Sequence, residues 1–243
     1  MSSVGLSSLS RLGSDLYKGV LDFVYPPYCL TCLAEVDEYL CAECAEKIDL
    51  IQPPFCRKCG VPCETYLCRD CPEREFAFES ACSAGIYDGR LRDAVHQLKY
   101  GCHVVMADPL GELMARCFAT THLAGKVDLV SPVPIHITRL VQRGFNQSAE
   151  LARVLCRRIG LPLIENVLVK PKKTRYQVDL PLEQRFTNLR GAFKVRRPDA
   201  VVGKRVLLVD DMLTTGATLN EAATTLRAAG ASQVYGYTLA RSI

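Results

Sequence analysis

Apolar and polar residues alternate in blocks along the last two thirds of this chain of 243 residues. Short apolar runs predict strands near residues 83–87, 127–133, 163–169, 191–195, 206–209 and 234–240. Apolar residues at helical spacing predict helices over residues 91–98, 108–122, 150–160 and 218–229. Strands that alternate with helices indicate an α/β fold built on a mainly parallel, doubly wound sheet.

Two acidic residues follow the apolar run from Val206 to Val209. A continuous apolar run is typical of a strand buried on both faces of a parallel sheet. Asp210 and Asp211 are therefore expected at its C-terminal end, where open α/β sheets bind ligands. A loop just beyond them offers backbone N–H groups and hydroxyls at a helix N-terminus, which suits a phosphate monoester. The loop residues are Thr214, Thr215, Gly216, Ala217 and Thr218. Carboxylates for hydroxyl groups, beside a loop for phosphate, predict a sugar-phosphate site.

Three interpretations compete for this segment. The Leu-Val-Asp-Asp sequence also begins receiver domains, but only 32 residues follow Asp211 and such a domain needs about 100. A core strand with an acidic end by chance leaves the hydroxyl-rich loop unexplained. The third is a resemblance: residues 203–218 resemble, without a gap, the phosphoribosyl-pyrophosphate (PRPP) motif of type I phosphoribosyltransferases. It implies that Asp210 and Asp211 are the catalytic pair on the ribose 2′- and 3′-hydroxyls, and that residues 214–218 hold the 5′-phosphate.

Eight of the 13 cysteines form a repeated frame, in which each cysteine of the first half recurs 27 residues later. The halves are Cys29, Cys32, Cys41, Cys44 and Cys56, Cys59, Cys68, Cys71. Each half can supply four thiolates to one tetrahedral zinc, so two zinc ions per chain are expected. The gap inside each half has room for a small hairpin, which favours sequential sites; interleaved pairing is the open alternative.

The alternative to zinc is a disulfide framework. Disulfides need an oxidising compartment, and nothing in the sequence directs export. Gly60 fits the tight backbone just after a cysteine pair, as a zinc knuckle requires. Cys63 is expected to be a spare thiol, and the remaining cysteines are expected to be small buried hydrophobic residues; they are Cys82, Cys102, Cys117 and Cys156.

Charge is distributed unevenly although the net charge is only +4. Residues 1–75 contain 7 basic and 12 acidic residues, whereas residues 139–205 contain 16 basic and 5 acidic ones. The basic region suits polyanions such as pyrophosphate, PRPP or nucleic acid, unless it is an ordinary solvated surface. Because the cysteine-rich region is acidic, a structural or protein-docking role is favoured there over DNA binding.

The N-terminal residues predict a short amphipathic docking helix. Their apolar positions have helical spacing and are interrupted by charges, so they lack the apolar core of a secretory signal. No apolar run approaches the roughly 20 residues of a membrane span. We therefore expect a soluble, cytoplasmic protein with a helix at 1–25, a double zinc ribbon at 26–75 and an α/β domain at 80–243.

Three further segments complete a resemblance to a known family. Residues 87–101, 132–147 and 175–193 contain Tyr-Asp-Gly-Arg-Leu-Arg, Arg-Gly-Phe-Asn-Gln and Gly-Ala-Phe motifs. With the cysteine frames and the PRPP motif, they look like the ComF family, apart from Leu33 where a glycine is often found. Family members carry an N-terminal zinc ribbon region and a phosphoribosyltransferase domain, and some support DNA uptake in natural transformation. The resemblance implies a type I phosphoribosyltransferase-like fold.

The resemblance also implies roles for basic residues. In phosphoribosyltransferases a loop after an early strand binds pyrophosphate, and guanidinium groups hold phosphate oxygens well. The arginines expected at pyrophosphate are Arg139, Arg143 and Arg175. Residues 171–190 occupy the place of a hood that closes over PRPP, with Lys172, Lys173 and Arg185 as further cations. No specific role is assigned to Lys99 or His136, and Asn146 and Gln147 are expected to orient the loop or cap the next helix.

Three functions fit these features. The first is transfer of phosphoribosyl from PRPP, bound with Mg²⁺, to an unidentified nitrogen acceptor. The second is a non-enzymatic adaptor that senses PRPP or nucleotide and controls a DNA-handling protein. The third is a single-stranded DNA binder that uses residues 139–205, although no repeated aromatic platform for stacked bases is present. The sequence leaves open whether the protein is an enzyme.

Overall fold

The computed structural model describes residues 28–174 and 181–243, except for the side chains at 182 and 183. The N-terminal helix expected at 1–25 and the predicted pyrophosphate residue Arg175 therefore lie outside the described residues. The strands are β1 (Ser80–Ile86), β2 (Leu129–Pro132), β3 (Leu168–Val169), β4 (Lys194–Val195), β5 (Arg205–Leu213) and β6 (Gln233–Arg241). The helices are α1 (Ala42–Glu46), α2 (Gly89–Lys99), α3 (Ala107–Phe118), α4 (Ile137–Arg143), α5 (Gln147–Ile159), α6 (Leu182–Leu189) and α7 (Ala217–Ala228).

Four strands form a parallel sheet in the order β1-β6-β5-β2. Its faces are covered by two separate apolar clusters because successive side chains of a strand point to opposite sides. Leu207 and Val209 belong to the cluster that contains α2, α3 and α5. Val206 and Leu208 belong to the cluster that contains α7 and the β3–β4 region. The predicted doubly wound sheet is thus confirmed, with β5 buried on both faces.

Four details of the prediction are wrong. The strands expected at 163–169 and 191–195 shrink to β3 and β4, which pair antiparallel outside the main sheet. Cys102 is exposed and Cys117 is half-buried, whereas both were expected to be buried like Cys82 and Cys156. Helix α4 was not predicted because it has no buried residue, so no core-facing stripe marks it. Helix α6 was also missed, in a segment where the sequence shows little apolar period.

The cysteine-rich region covers the free edge of β1. On that edge the Ala81 N–H donates to Lys58 O at 2.9 Å, and the Ile51 N–H donates to Ala84 O at 3.0 Å. The Ile86 N–H donates to the carbonyl of residue 49 at 2.8 Å. An exposed strand edge is a template for unwanted pairing. The second cysteine frame and the segment between the two frames therefore cover this edge and protect it.

Candidate functional site

The acidic pair lies inside the last part of β5, two residues before the strand ends at Leu213. Asp210 and Asp211 are only 8% and 5% exposed. Burying two adjacent carboxylates costs free energy unless hydrogen bonds and counter-charges compensate. The residues that supply this compensation identify the site.

Asp210 is held by two hydrogen bonds to one carboxylate oxygen. The Ser148 hydroxyl donates to Asp210 Oδ1 at 2.8 Å, and the Asp211 backbone N–H donates to the same atom at 2.9 Å. Ser148 is fully buried in the first turn of α5. Asn146 caps that helix, as expected: its Oδ1 accepts from the Ser148 N–H at 3.2 Å, while its Nδ2 donates to Val133 O at 3.1 Å. The sequence analysis missed Ser148, although its place just after a helix cap was a usable signal.

Lys99 supplies the counter-charge for the pair. It is the last residue of α2, and its Nζ lies 2.7 Å from Asp211 Oδ2, with both side chains buried. The contact is an ion pair without good hydrogen-bond alignment, since Oδ2 has no well-oriented donor among the described residues. Burial alone lowers the pKa of Lys99, but the charge of Asp211, the direct contact with its carboxylate and the charge of Asp210 outweigh burial and raise the pKa. The sequence placed Lys99 on a helix end but gave no reason to pair it with Asp211.

The pKa of Asp210 is raised to about 7. Burial is the largest cause, and the neighbouring charge of Asp211 adds to it. The bonds from Ser148 and the backbone, and the charge of Lys99, act in the opposite direction. Burial therefore favours the neutral form of Asp210 more than in an ordinary aspartate.

A cleft of about 150 Å³ opens beside the acidic pair at the carboxyl ends of β2 and β5. Basic residues dominate its walls: Lys99, Arg139, Arg143, Lys170 and Arg185. Arg143 donates to Gln147 Oε1, and its guanidinium lies 6.0 Å from the centre of the Tyr100 ring. Five cations against two carboxylates give the cleft a positive potential, which favours a polyanion.

Lys170 is a second residue that the sequence analysis missed. Its ammonium lies 5.3 Å from the centre of the Phe193 ring. Burial, followed by the positive charge of Arg139, lowers the pKa of Lys170 to about 8. A lysine with a depressed pKa that lines a cleft is a functional candidate, because a bound anion would stabilise its charged form.

The predicted phosphate loop connects β5 to α7. Gly216 precedes the helix with φ +85°, a left-handed conformation that favours glycine. A Cβ there would also come within 3.1 Å of the Phe76 ring. Thr214 and Thr218 line the cleft, whereas Thr215 and Gly216 line a neighbouring cavity of about 570 Å³. The N-terminus of α7 has no side-chain cap, so its N–H groups and positive dipole end favour an anion.

Other predicted basic residues lie elsewhere. Lys172 donates to Arg190 O at 2.8 Å and does not line the cleft, and Lys173 is exposed. His136 Nδ1 accepts from the Thr138 N–H at 3.2 Å, which caps α4. Of the three arginines expected at pyrophosphate, the structure brings Arg139 and Arg143 into the cleft.

The eight framed cysteines gather into two groups of four, and the grouping is sequential. Within each group the sulfur atoms lie within 4.8 Å of one another. Measured Sγ–Sγ distances are 3.8 Å for Cys32–Cys41 and 3.7 Å for Cys59–Cys68. A tetrahedral zinc with Zn–S bonds of about 2.3 Å requires a sulfur–sulfur edge of about 3.8 Å, so both groups fit the ion.

Backbone donors support the thiolates, as the knuckle spacing predicts. The Cys41 N–H points at Cys29 Sγ, and the Cys44 N–H points at Cys41 Sγ, both at 3.4 Å. All thirteen cysteines are free in the structure, and a disulfide would need a sulfur–sulfur bond of about 2.05 Å. The disulfide alternative is therefore not what the structure shows.

Two family comparisons match the two parts of the chain. Residues 20–72 match the double zinc ribbon domain, and residues 109–242 match the phosphoribosyl transferase domain. The second match covers more than half of the chain. None of the helices in residues 28–174 and 181–243 has the length and apolar character to cross a bilayer.

Curated relatives match part of the chain. Competence protein F of Haemophilus influenzae is 34% identical over 131 residues, covering 54% of this chain and 57% of that protein. The match thus spans less than two thirds of the Haemophilus protein. DNA utilization protein YhgH of Escherichia coli K12 is 32% identical, with coverage of 65% and 70%. Competence protein ComFC of Bacillus subtilis is 36% identical, with coverage of 46% and 43%.

Among solved structures, a glutamine PRPP amidotransferase from B. subtilis, complexed with ADP and GMP, is 25% identical. The similarity covers 54% of this chain and 25% of that enzyme, with a TM-score of 0.36.

Proposed function

We propose that this chain, which belongs to the ComF family of proteins with a double zinc ribbon and a phosphoribosyltransferase domain, binds PRPP or a related ribose phosphate. One observation carries the proposal. The buried pair Asp210 and Asp211 lies in the same cleft as Thr214 and Thr218 of the loop before α7, with five basic residues around it. This combination matches the parts of a sugar phosphate: hydroxyls, a phosphate ester and further negative charge.

In this proposal each wall of the cleft takes one part of the ligand. Asp210 and Asp211 accept hydrogen bonds from the ribose hydroxyls, and Ser148 and Lys99 keep the two carboxylates in place. The loop 214–218 holds the 5′-phosphate through backbone N–H groups. Arg139, Arg143 and Lys170 face the pyrophosphate. Mg²⁺ bound together with PRPP would neutralise further charge on the pyrophosphate.

The reaction that such a site supports is displacement at the anomeric carbon. The lone pair of a nitrogen nucleophile forms the new C–N bond while the C–O bond to pyrophosphate breaks. The electron pair of that bond leaves with pyrophosphate, and the sugar passes through an oxocarbenium-like state. Fixed cations at the leaving group stabilise the charge that develops there.

Titration calorimetry of the full chain with PRPP, ribose 5-phosphate and pyrophosphate tests the binding proposal. We expect PRPP with Mg²⁺ to bind most tightly, because it alone satisfies all three parts of the cleft. Equal affinity for pyrophosphate and PRPP would show a simple anion site and overturn the sugar-phosphate assignment. Pyrophosphate release across a panel of nitrogen bases then tests whether bound PRPP is turned over.

A role in the use or uptake of DNA is supported by the relatives, whose names are Competence protein F and DNA utilization protein. The alternative without catalysis is an adaptor that binds ribose phosphate, transfers it to no acceptor and contacts a DNA-handling partner. Helix α4 beside the cleft favours a partner, since Ile137 and Val141 are 60% and 77% exposed. Binding of PRPP without pyrophosphate release from any base would favour the adaptor.

Direct DNA binding would use the same basic surface. In that case PRPP and single-stranded DNA compete, and both bind more weakly as salt rises. Band-shift assays of the full chain with and without Mg-PRPP check this. Binding unaffected by PRPP would place DNA outside the cleft.

A further inference from the structure

A buried arginine connects the second cysteine cluster to the phosphate loop. Arg241 ends β6 and is only 9% exposed. Its Nη1 donates to Leu213 O at 3.1 Å and also to Thr214 O, where β5 passes into the loop. Its Nη2 points at Cys59 Sγ at 3.9 Å. One guanidinium therefore touches a zinc ligand and the first carbonyls of the loop.

The link between the second ribbon and the sheet reinforces this connection. The rings of Phe76 and Phe78 stack at 4.6 Å, and a Cβ on Gly216 would meet the Phe76 ring at 3.1 Å, which is a tight contact. The Ala77 N–H donates to Asn220 Oδ1 at 2.7 Å, in the first turn of α7. Thus the segment that follows Cys71 packs on both the loop and the helix that the loop begins.

Charge explains why Arg241 stays buried. No carboxylate of the described residues pairs with its guanidinium, and its Nε has no hydrogen-bond partner there. A buried cation without a counter-charge is strongly unfavourable. With zinc held by its four thiolates, the second cluster would carry a charge of about −2 and would be the anion that compensates Arg241. The two carbonyls satisfy part of the remaining hydrogen-bonding capacity.

The first cluster has different neighbours. Arg90, at the start of α2, donates from Nη1 to Thr31 O in the knuckle of the first cluster at 3.2 Å. Cys29 and Cys44 are part of the large apolar cluster that contains α2, α3 and α5. The equivalent position to Cys59 in the first frame is Cys32; each contacts a cysteine of its own cluster, but among the described residues only Cys59 also meets an arginine. The repeat therefore provides a matched control for any effect of the second cluster.

We propose that Arg241 is a positioning residue that couples the second zinc cluster to the phosphate loop. The cluster holds the guanidinium, the guanidinium holds the carbonyls of Leu213 and Thr214, and these fix the direction of the N–H groups in residues 214–218. Loss of the second cluster loosens the loop, whereas loss of the first does not. The identity of the ligand rests on the proposed function; the coupling itself does not.

Hydrogen exchange of the full chain tests the coupling without any ligand. Arg241→Met should retain both zinc ions but speed exchange of the 214–218 amides by about tenfold or more, because local opening becomes easier. Arg241→Lys keeps the charge with fewer donors and should give a smaller increase. Arg227→Met is the matched control, since Arg227 lies on α7 and pairs with Glu79 on the surface. Unchanged loop exchange in both Arg241 variants, with both zinc ions retained, would overturn the proposal.

Metal occupancy gives a second test that does not depend on an Arg241 variant folding. Cys68→Ser in the second cluster should speed exchange in 214–218, and Cys41→Ser in the first should not. Equal effects of the two changes on the loop would contradict the coupling.

Calorimetry with PRPP then separates the two proposals. If wild type does not bind PRPP but the exchange pattern holds, the ligand assignment fails and the coupling stands. If wild type binds PRPP and Arg241→Met binds it as tightly, the coupling fails and the ligand assignment stands. We expect about tenfold weaker binding in Arg241→Met, equal to about 1.4 kcal/mol.

Discussion

The two zinc ribbons share the backbone turn of their first knuckle but lie in different surroundings. In the first, the Cys29 N–H donates to Ala34 O at 2.9 Å and the Leu33 N–H donates to Cys29 O at 2.8 Å. In the second, the bonds at positions 27 residues later are Cys56 N–H to Val61 O and Gly60 N–H to Cys56 O, both 2.8 Å. The repeated spacing therefore gives the first knuckle of each ribbon the same local fold, although only the first ribbon continues into an α-helix, α1. What each ribbon contributes to the molecule depends on its neighbours.

The first ribbon extends the apolar core, and the second supports the candidate site. Cys29, Leu30, Leu40 and Cys44 are buried in the cluster beneath α2 and α3. The second cluster has a small apolar group of its own and touches the loop through Arg241. Two copies of one motif thus separate a structural role from a role in positioning the site. Four predictions test that separation.

The largest expected effect is loss of metal. Metal analysis should find two zinc ions per chain, and Cys41→Ser or Cys68→Ser should each leave one. Zinc supplies on the order of 10 kcal/mol to the folding of such sites. Each variant should therefore unfold its ribbon and lower the melting temperature by at least about 10 °C. Finding one zinc or none in fully reduced wild-type protein would contradict the two-site assignment.

Substitutions at two equivalent knuckle positions, Leu33→Gly and Gly60→Ala, should change the free energy of unfolding in opposite directions. Leu33 and Gly60 have φ +63° and +73°, a region that costs a side chain about 1–2 kcal/mol. Leu33 is 70% exposed, so Leu33→Gly should raise stability by up to about 1 kcal/mol after the entropy cost of glycine. A Cβ on Gly60 would lie 2.8 Å from Ala81 O, so Gly60→Ala should cost about 2–4 kcal/mol.

Denaturant unfolding of the zinc-loaded full chain measures both free energies. Changes of equal size and opposite sign at the two positions would show that the ribbons have the same environment after all.

The third prediction changes the cleft and leaves both ribbons intact. Asp210→Asn with Asp211→Asn should weaken PRPP binding at least about tenfold, since a charge-assisted hydrogen bond contributes about 1.5–3 kcal/mol. Zinc content should remain at two per chain. Ser148→Ala is a milder companion, because it removes one donor to Asp210 while keeping the carboxylates. Calorimetry that finds native affinity in the double variant would remove the sugar-phosphate assignment.

The smallest expected effect is the dependence of PRPP affinity on pH. The pKa of Asp210 is about 7 and that of Lys170 about 8, so affinity should be highest between these values. Below pH 7 the carboxyl is neutral and accepts weakly; above pH 8 the ammonium loses its charge. At pH 6 binding should be weaker by up to about tenfold.

The stability of the free protein should change in the opposite direction over the acidic range. The folded pKa of Asp210 lies above its ordinary value, so its contribution to stability falls as the pH rises from about 4 to about 7.

Two variants test the pH dependence of binding. Asp210→Asn should remove the acidic limb of the binding profile, and Lys170→Arg should remove the alkaline limb. A flat wild-type profile, after correction for ligand ionisation, would show that neither group contacts the ligand.

Local patterns predicted a large part of this molecule. The spacing of thiolates identified both metal clusters, because a tetrahedral ion needs knuckles of a defined length. The apolar run before Asp210 identified the central strand, and the four buried residues of α2 followed helical spacing as predicted. Helix α4 could not be predicted in this way, since a helix without a buried face has no apolar period.

The sequence by itself thus determined the ribbons, the doubly wound sheet and the position of the acidic pair. Only the tertiary structure decided which residues complete the site. Ser148 meets Asp210 across 62 positions of sequence, and Arg241 meets Cys59 across 182. The physical reason is that capping, periodicity and ligand spacing act within a few residues, whereas these pairings depend on strand order and on where the ribbons dock. A lysine at a helix end or an arginine at a strand end acquires its role only from the charge that folding places beside it.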